Sequence, residues 1–190
     1  MALFQNELIK SAEENVLMEL LDIYDENRVR TGRIIARGHP LAQGEFHIVV
    51  VVCVFNSKGE MLIQQRQSFK KGWPNKWDAT VGGCAVAGET SRMAAERELF
   101  EEVGIKWDFS GLRPYFTMNF DYCFSDFYII EEDVDIAELE LQYEEVQAAR
   151  WAARDEVLQM IEDDEFLPCY KSLLSLLFSM KGRPIGGLSV

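Results

Sequence analysis

The chain has 190 residues, 48% of them hydrophobic, which is enough for one well-buried core and leaves little room for a second. A net charge of −13 argues against a basic surface that tracks a nucleic-acid backbone, although a metal ion and a few local cations still allow a small anionic substrate. Four cysteines, Cys53, Cys84, Cys123 and Cys169, make no C-x-x-C pair and read as reduced thiols, mainly buried.

Residues 2–15 are loosely amphipathic and Met18 begins the next unit, so 1–17 reads as an N-terminal extension, a packing helix or a tail, and 18–190 as a single domain. Leu20–Tyr24 and Gly32–Arg37 flank the polar segment DENRVRT, the pattern of a hairpin, and Gly38–Glu45 is loop. The β-branched run HIVVVVCVF, His47–Phe55, predicts a strand buried on both faces. Asn56–Gly59 is a turn and Glu60–Arg66 the returning strand, which together predict a central hairpin. After the loop Ser68–Asn75, a short strand Trp77–Val81 delivers the chain into Gly82-Gly83.

From Thr90 to Val103 nothing breaks a helix, with Thr90 as N-cap and Gly104 as stop. Strands are predicted at Gly111–Phe116, Phe120–Ile130 and Gln147–Trp151, with the acidic segment EEDVDIAELELQYEE before the last of them. Helices are predicted at Ala153–Ile161 and Leu167–Met180, the latter covering one side of the sheet. This order predicts an α/β (α+β) domain, a mixed sheet with helices on both faces. The N-terminal apolar run is interrupted at Gln5, Asn6 and Glu7, so it does not read as a signal peptide. No apolar stretch is long enough for a bilayer, and the expected location is the cytoplasm.

The helix over 90–103 carries the chemistry. At about 100° per residue, Glu98, Glu101 and Glu102 share one arc while Met93, Leu99, Phe100 and Val103 spread over the other side, predicting one carboxylate face and one core face. Like charges at these spacings repel, and a bound cation removes that cost. Clustered carboxylate oxygens with no thiol or imidazole nearby suit Mg²⁺ first and Mn²⁺ second. A solvated acidic face is the ordinary meaning of such a run. The surrounding pattern is far more specific: Gly83, Glu89, Arg97-Glu98-Leu99, Glu101-Glu102 and Gly104-Ile105 match nine fixed positions by chance about once in a billion windows.

This stretch, GCAVAGETSRMAAERELFEEVGI, resembles at every defining position the signature box of the Nudix hydrolases, which cleave nucleoside diphosphates linked to another group. The resemblance covers about Leu20 to Glu162 and implies an α/β/α sandwich. It implies divalent-metal binding at Glu98, Glu101, Glu102 and the backbone carbonyl of Gly82, with one glutamate helping to activate water. Gly83, Glu89 and Arg97 are carried over as supporting residues. Glu145-Val146 before Arg150-Trp151 has the form of a further acidic ligand that the family often adds, and Arg66 stands where such proteins often place a cation near substrate phosphates. The implied reaction is attack of activated water on a diphosphate linkage of a small organic diphosphate, with no nucleic-acid or membrane partner; a homodimer is compatible with this reading.

The upstream half, DIYDENRVRTGR, EFHIVVVVCVFNSKGEMLIQQR and GWPNKWDATVGG, resembles the type 1 isopentenyl diphosphate isomerases and the Nudix proteins close to them. An isomerase needs a catalytic cysteine and a three-histidine metal site. Here Gly82 stands where that cysteine belongs, Cys84 where a histidine belongs, and the chain has two histidines, His39 and His47. The complete box therefore favours hydrolysis; the alternatives are an isomerase-like enzyme or a nucleotide-binding protein without turnover.

Overall fold

A computed structural model describes residues 19–182, so the expected extension over 1–17 lies outside the described residues. The DENRVRT segment turns β1 (Leu20–Tyr24) back along β2 (Arg30–Ala36), and these two form a small sheet of their own. Asp25 holds the turn, its Oδ1 accepting from the backbone N–H groups of Asn27 at 2.9 Å and Val29 at 2.8 Å.

The apolar run forms β3 (His47–Phe55), followed by β4 (Met61–Arg66), β5 (Trp77–Asp78) and β6 (Val81–Cys84). A helix, α1 (Ser91–Val103), leads to β7 (Phe116–Asn119), β8 (Cys123–Glu131) and β9 (Val146–Ala152), and the described chain ends with α2 (Arg154–Glu162) and α3 (Lys171–Met180). The main sheet has the order β5-β4-β3-β8-β7, with β6 also on β3 and β9 also on β4. β3 runs parallel to β8 from His47↔Cys123 to Phe55↔Glu131, while the other pairs are antiparallel, so the sheet is mixed as expected.

Alternation along β3 divides the interior into two cores. Val50, Val52 and Val54 face Ala94, Ala95, Leu99 and Val103 of α1, and Cys53 and Phe55 face Val157 and Met160 of α2 and Leu174 and Leu177 of α3. Helices thus cover both faces of the sheet, giving the three layers.

The central hairpin is split. β3 and β4 pair only at Phe55↔Met61, because Thr80 stands between them: its hydroxyl accepts from the N–H of Val54 at 2.9 Å and donates to the carbonyl of Leu62 at 2.5 Å. With the strands parted, Val49–Val52 of β3 pair with β6, and β4 pairs with β9. The expected strand over Trp77–Val81 is correspondingly broken at Ala79-Thr80, and Gly82-Gly83 lie inside a strand and not after one. Gly111–Pro114 is not strand either: Asp108 Oδ1 accepts from the Ser110 N–H and turns the chain, so β7 begins at Phe116.

Candidate functional site

Both ends of α1 are built as expected. Thr90 Oγ1 accepts from the N–H of Met93 at 3.3 Å, and Gly104, at φ 76°, returns its N–H to the carbonyl of Phe100. Gly104 also admits a neighbour: a β-carbon there would lie 2.9 Å from Cβ and 3.0 Å from the backbone N of Glu140. The acidic loop therefore runs directly against the helix end. The Gln142 N–H donates to the carbonyl of Glu102 at 3.0 Å and the Val146 N–H to the carbonyl of Gln142 at 2.9 Å, which sets Glu145 beside the helix.

The division of α1 into a carboxylate face and a core face needs correction. Met93 and Phe100 point outward, 53% and 46% exposed, whereas Glu98 and Glu102 are 8% and 5% exposed. Ala94 and Ala95 are small enough to let the helix close on the sheet, and that approach carries Glu98 over Gly83 in β6. Glu101 stays at the rim, its side chain 47% exposed.

Arg97 ties these parts together. Its guanidinium donates to Glu89 Oε1 at 2.8 Å and Oε2 at 3.1 Å, to Glu101 Oε2 at 3.0 Å, and to the carbonyl of Cys84 at 3.0 Å. It also lies 3.0 Å from Glu98 Oε1. Glu89 in turn accepts from the N–H of Val86 at 2.9 Å, so the pair joins the loop before α1 to the end of β6.

Glu98, Glu101, Glu102, Glu145, Gly82 and Gly83 line one cleft. Arg66 and Arg97 line it too, and Glu89 stands behind them. The sequence had singled out all of these. Glu19, Arg37, Gln142 and Asp78 carry no such signal in the sequence, and Lys70 also lines the cleft. Lys70 is ion-paired with Glu145, Arg37 with Glu19 at 2.7 Å, and Asp78 is half-buried near Arg66 and Glu102. These residues stand singly in the sequence, so no spacing signals them.

Burial pushes the Glu98 carboxyl above the usual range against the pull of Arg97. Burial raises Glu102 well above it, reinforced by the negative charges of Glu98, Glu145 and Asp78. Asp78 is pushed up to about 6 by burial, opposed by the Ala79 N–H and Arg66.

These donors fit a hard divalent cation. Glu102 Oε2 is buried without a hydrogen-bond partner, and the nearby donors are carboxylate and carbonyl oxygens. Among the described residues no three His, Cys, Asp or Glu side chains are gathered closely enough, as they stand, to hold a metal ion. Glu98 instead faces Arg97, and Glu145 faces Lys70.

The NUDIX domain model matches residues 45–171. An uncharacterized Nudix hydrolase of Listeria monocytogenes is 46% identical over 164 residues, covering 86% of this chain and 96% of that relative. The crystal structure of DR0079 from Deinococcus radiodurans superposes with a TM-score of 0.68 at 25% identity, over 84% of this chain and 97% of that one. An isopentenyl-diphosphate Delta-isomerase of Pectobacterium atrosepticum is 33% identical over 98 residues, 52% of each chain, so that likeness is partial and does not carry the narrower kinship. With a domain match that contains the whole box and a relative alike over nearly its full length, the chain belongs to the Nudix hydrolase family.

Proposed function

We propose that the protein hydrolyses a diphosphate linkage in a nucleoside diphosphate derivative or similar organic diphosphate, using Mg²⁺ or Mn²⁺. The observation that carries this reading is the burial of Glu98 and Glu102, Glu98 lying against Gly83 and Glu102 Oε2 unpartnered, in a cleft that also holds Arg66 and Arg37. Glu98, Glu101, Glu102, Glu145 and the carbonyl of Gly82 would hold the cation, which when bound neutralises diphosphate charge and lowers the pKa of a water molecule.

The chain's own groups supply the rest. Burial makes Glu98 a stronger base than an exposed glutamate, which fits it to take a proton from water; Glu102 and Glu145 are the alternatives. Arg66 offers a planar fork to phosphate oxygens, held by donation from Nε to the carbonyl of Gly72 at 3.1 Å. Arg97 and Glu89 orient the carboxylates from behind.

An isomerase reading meets glycine at position 82, where the resemblance calls for a thiol. Cys84, two residues on, is buried, and burial holds its thiol above the usual range.

The test is a phosphate-release screen of purified protein over nucleoside di- and triphosphates, nucleotide sugars, dinucleotides and isoprenoid diphosphates, with Mg²⁺ and with Mn²⁺. Turnover of at least one class, reduced 100-fold or more in Glu98→Gln, is expected. No turnover of any class, or turnover indifferent to Glu98→Gln and Glu102→Gln, contradicts the proposal.

A further inference from the structure

The face of α1 turned from the sheet is apolar where solvent meets it. Met93 and Phe100 are exposed and, seven residues apart, lie on one side of the helix about two turns from each other. With half-buried Trp107 they line a groove of about 720 Å³, a larger apolar surface than scattered exposed side chains make. Arg97 lines this groove and the acidic cleft alike, so the two lie on either side of it.

The described chain begins beside that boundary. The carbonyl of Glu19 accepts from the N–H of Arg37 at 2.8 Å, and the carbonyl of Leu20 from the N–H of Ala87 at 2.7 Å, in the loop that leads to α1. Glu19 lines the cleft together with Arg97. Residues 1–18 therefore join the domain with one side chain, Arg97, between their attachment and the groove.

Their sequence suits it. Phe4, Leu8, Ala12 and Val16 recur every fourth residue and share one side at helical spacing, with Asn6, Lys10 and Glu14 opposite. At helical rise residues 3–16 span about 20 Å, against about 10 Å from Met93 to Phe100, and Leu17-Met18 as a link reach up to about 10 Å. A segment tethered this closely competes for the groove at an effective concentration on the order of millimolar, which a second copy of the chain does not match in dilute solution.

We infer that residues 3–16 dock their apolar stripe into the groove of Met93, Phe100 and Trp107 of the same chain. Docking covers the outer face of the helix whose other side carries the carboxylates. It also holds Glu19, and through it Arg37, at the mouth of the cleft.

Photocrosslinking and hydrogen exchange on the full chain test this. With p-benzoylphenylalanine in place of Phe4, ultraviolet light should join position 4 to the peptide of residues 93–107 in a product of single-chain mass. Amide hydrogens of residues 3–16 should exchange at least tenfold more slowly than in a free peptide of residues 1–18. That ratio should fall to within twofold of unity when Met93→Ser and Phe100→Ser are combined, while Tyr170→Ser, at an exposed ring outside the groove, leaves it unchanged. Exchange at the free-peptide rate in wild type, or a crosslink to any other part of the chain, overturns the inference. A crosslinked product mainly of twice the chain mass also overturns it and gives the groove to a second copy.

Discussion

Gly83 and Glu98 occupy one space: a β-carbon at Gly83 would fall on the Glu98 carboxyl group. The close approach of β6 to α1 thus rests on a missing side chain, and the carboxylate in that space is the first candidate for the base. Gly83→Ala should move the end of a flexible side chain more than it disturbs backbone, so the stability cost should stay below about 2 kcal/mol. Turnover on an identified substrate should nevertheless fall 100-fold or more, since a misplaced base loses its reach. Paired denaturation and kinetic measurements check this; an active Gly83→Ala protein would remove Glu98 from its assigned place.

Glu102 is ionised only at a cost, because burial and three acidic neighbours raise its pKa. A carboxyl with a raised folded-state pKa contributes stability while protonated, and that contribution is lost as pH rises from the unfolded value through the folded one. At pH 7.5 in EDTA, Glu102→Gln should therefore melt higher than wild type. Added Mg²⁺ should raise the wild-type melting temperature and raise the variant's less, since a ligand held only by the folded state stabilises it by mass action. Equal Mg²⁺ shifts in the two proteins would count against Glu102 as a ligand.

Arg97 meets Glu89, Glu98, Glu101 and the carbonyl of Cys84. Arg97→Ala leaves buried Glu98 and Glu89 without their cation and should cost about 2 to 4 kcal/mol in chemical denaturation. Arg97→Lys should recover less than half of that, because a single ammonium cannot reach all four acceptors. Full recovery by lysine would mean that charge alone matters at this position.

Asp78 carries a pH dependence of its own. Its carboxyl is pushed up to about 6 from an ordinary value of 3.8, with burial the largest cause, so metal-free protein should lose stability as pH rises between those values. The loss is at most about 3 kcal/mol. Asp78→Asn should flatten this part of the curve; melting temperatures in EDTA from pH 4 to pH 7.5 measure it, and parallel curves for the two proteins would refute the assignment.

The parts of the fold that were legible in the sequence are those with local causes. Thr90 and Gly104 bound α1 through cap chemistry, and the β-branched run of β3 predicts a strand whatever surrounds it. The split between β3 and β4 was not legible, because one threonine hydroxyl, eighteen residues from the carbonyl it meets, takes the place of ladder bonds. Burial of Glu98 and Glu102 was hidden for a related reason. Helical periodicity assigns charged residues to the solvent side, and the missing Gly83 side chain across the interface lets the Glu98 carboxylate turn inward. The box residues and Glu145 come to the cleft as the motif implies, whereas Arg37 and Asp78 arrive from strand ends with no pattern around them.

In the proposed reaction, solvent water attacks a phosphorus atom of the substrate's diphosphate linkage, assisted by carboxylates of α1. Turnover of a substrate identified by the phosphate-release screen in ¹⁸O-labelled water, with the products read by mass spectrometry, tests this most directly. One product phosphate should carry a single label, and Glu98→Gln should slow its appearance 100-fold or more without changing where the label resides. Products free of label, or isopentenyl diphosphate converted to its isomer with the diphosphate intact, would contradict it.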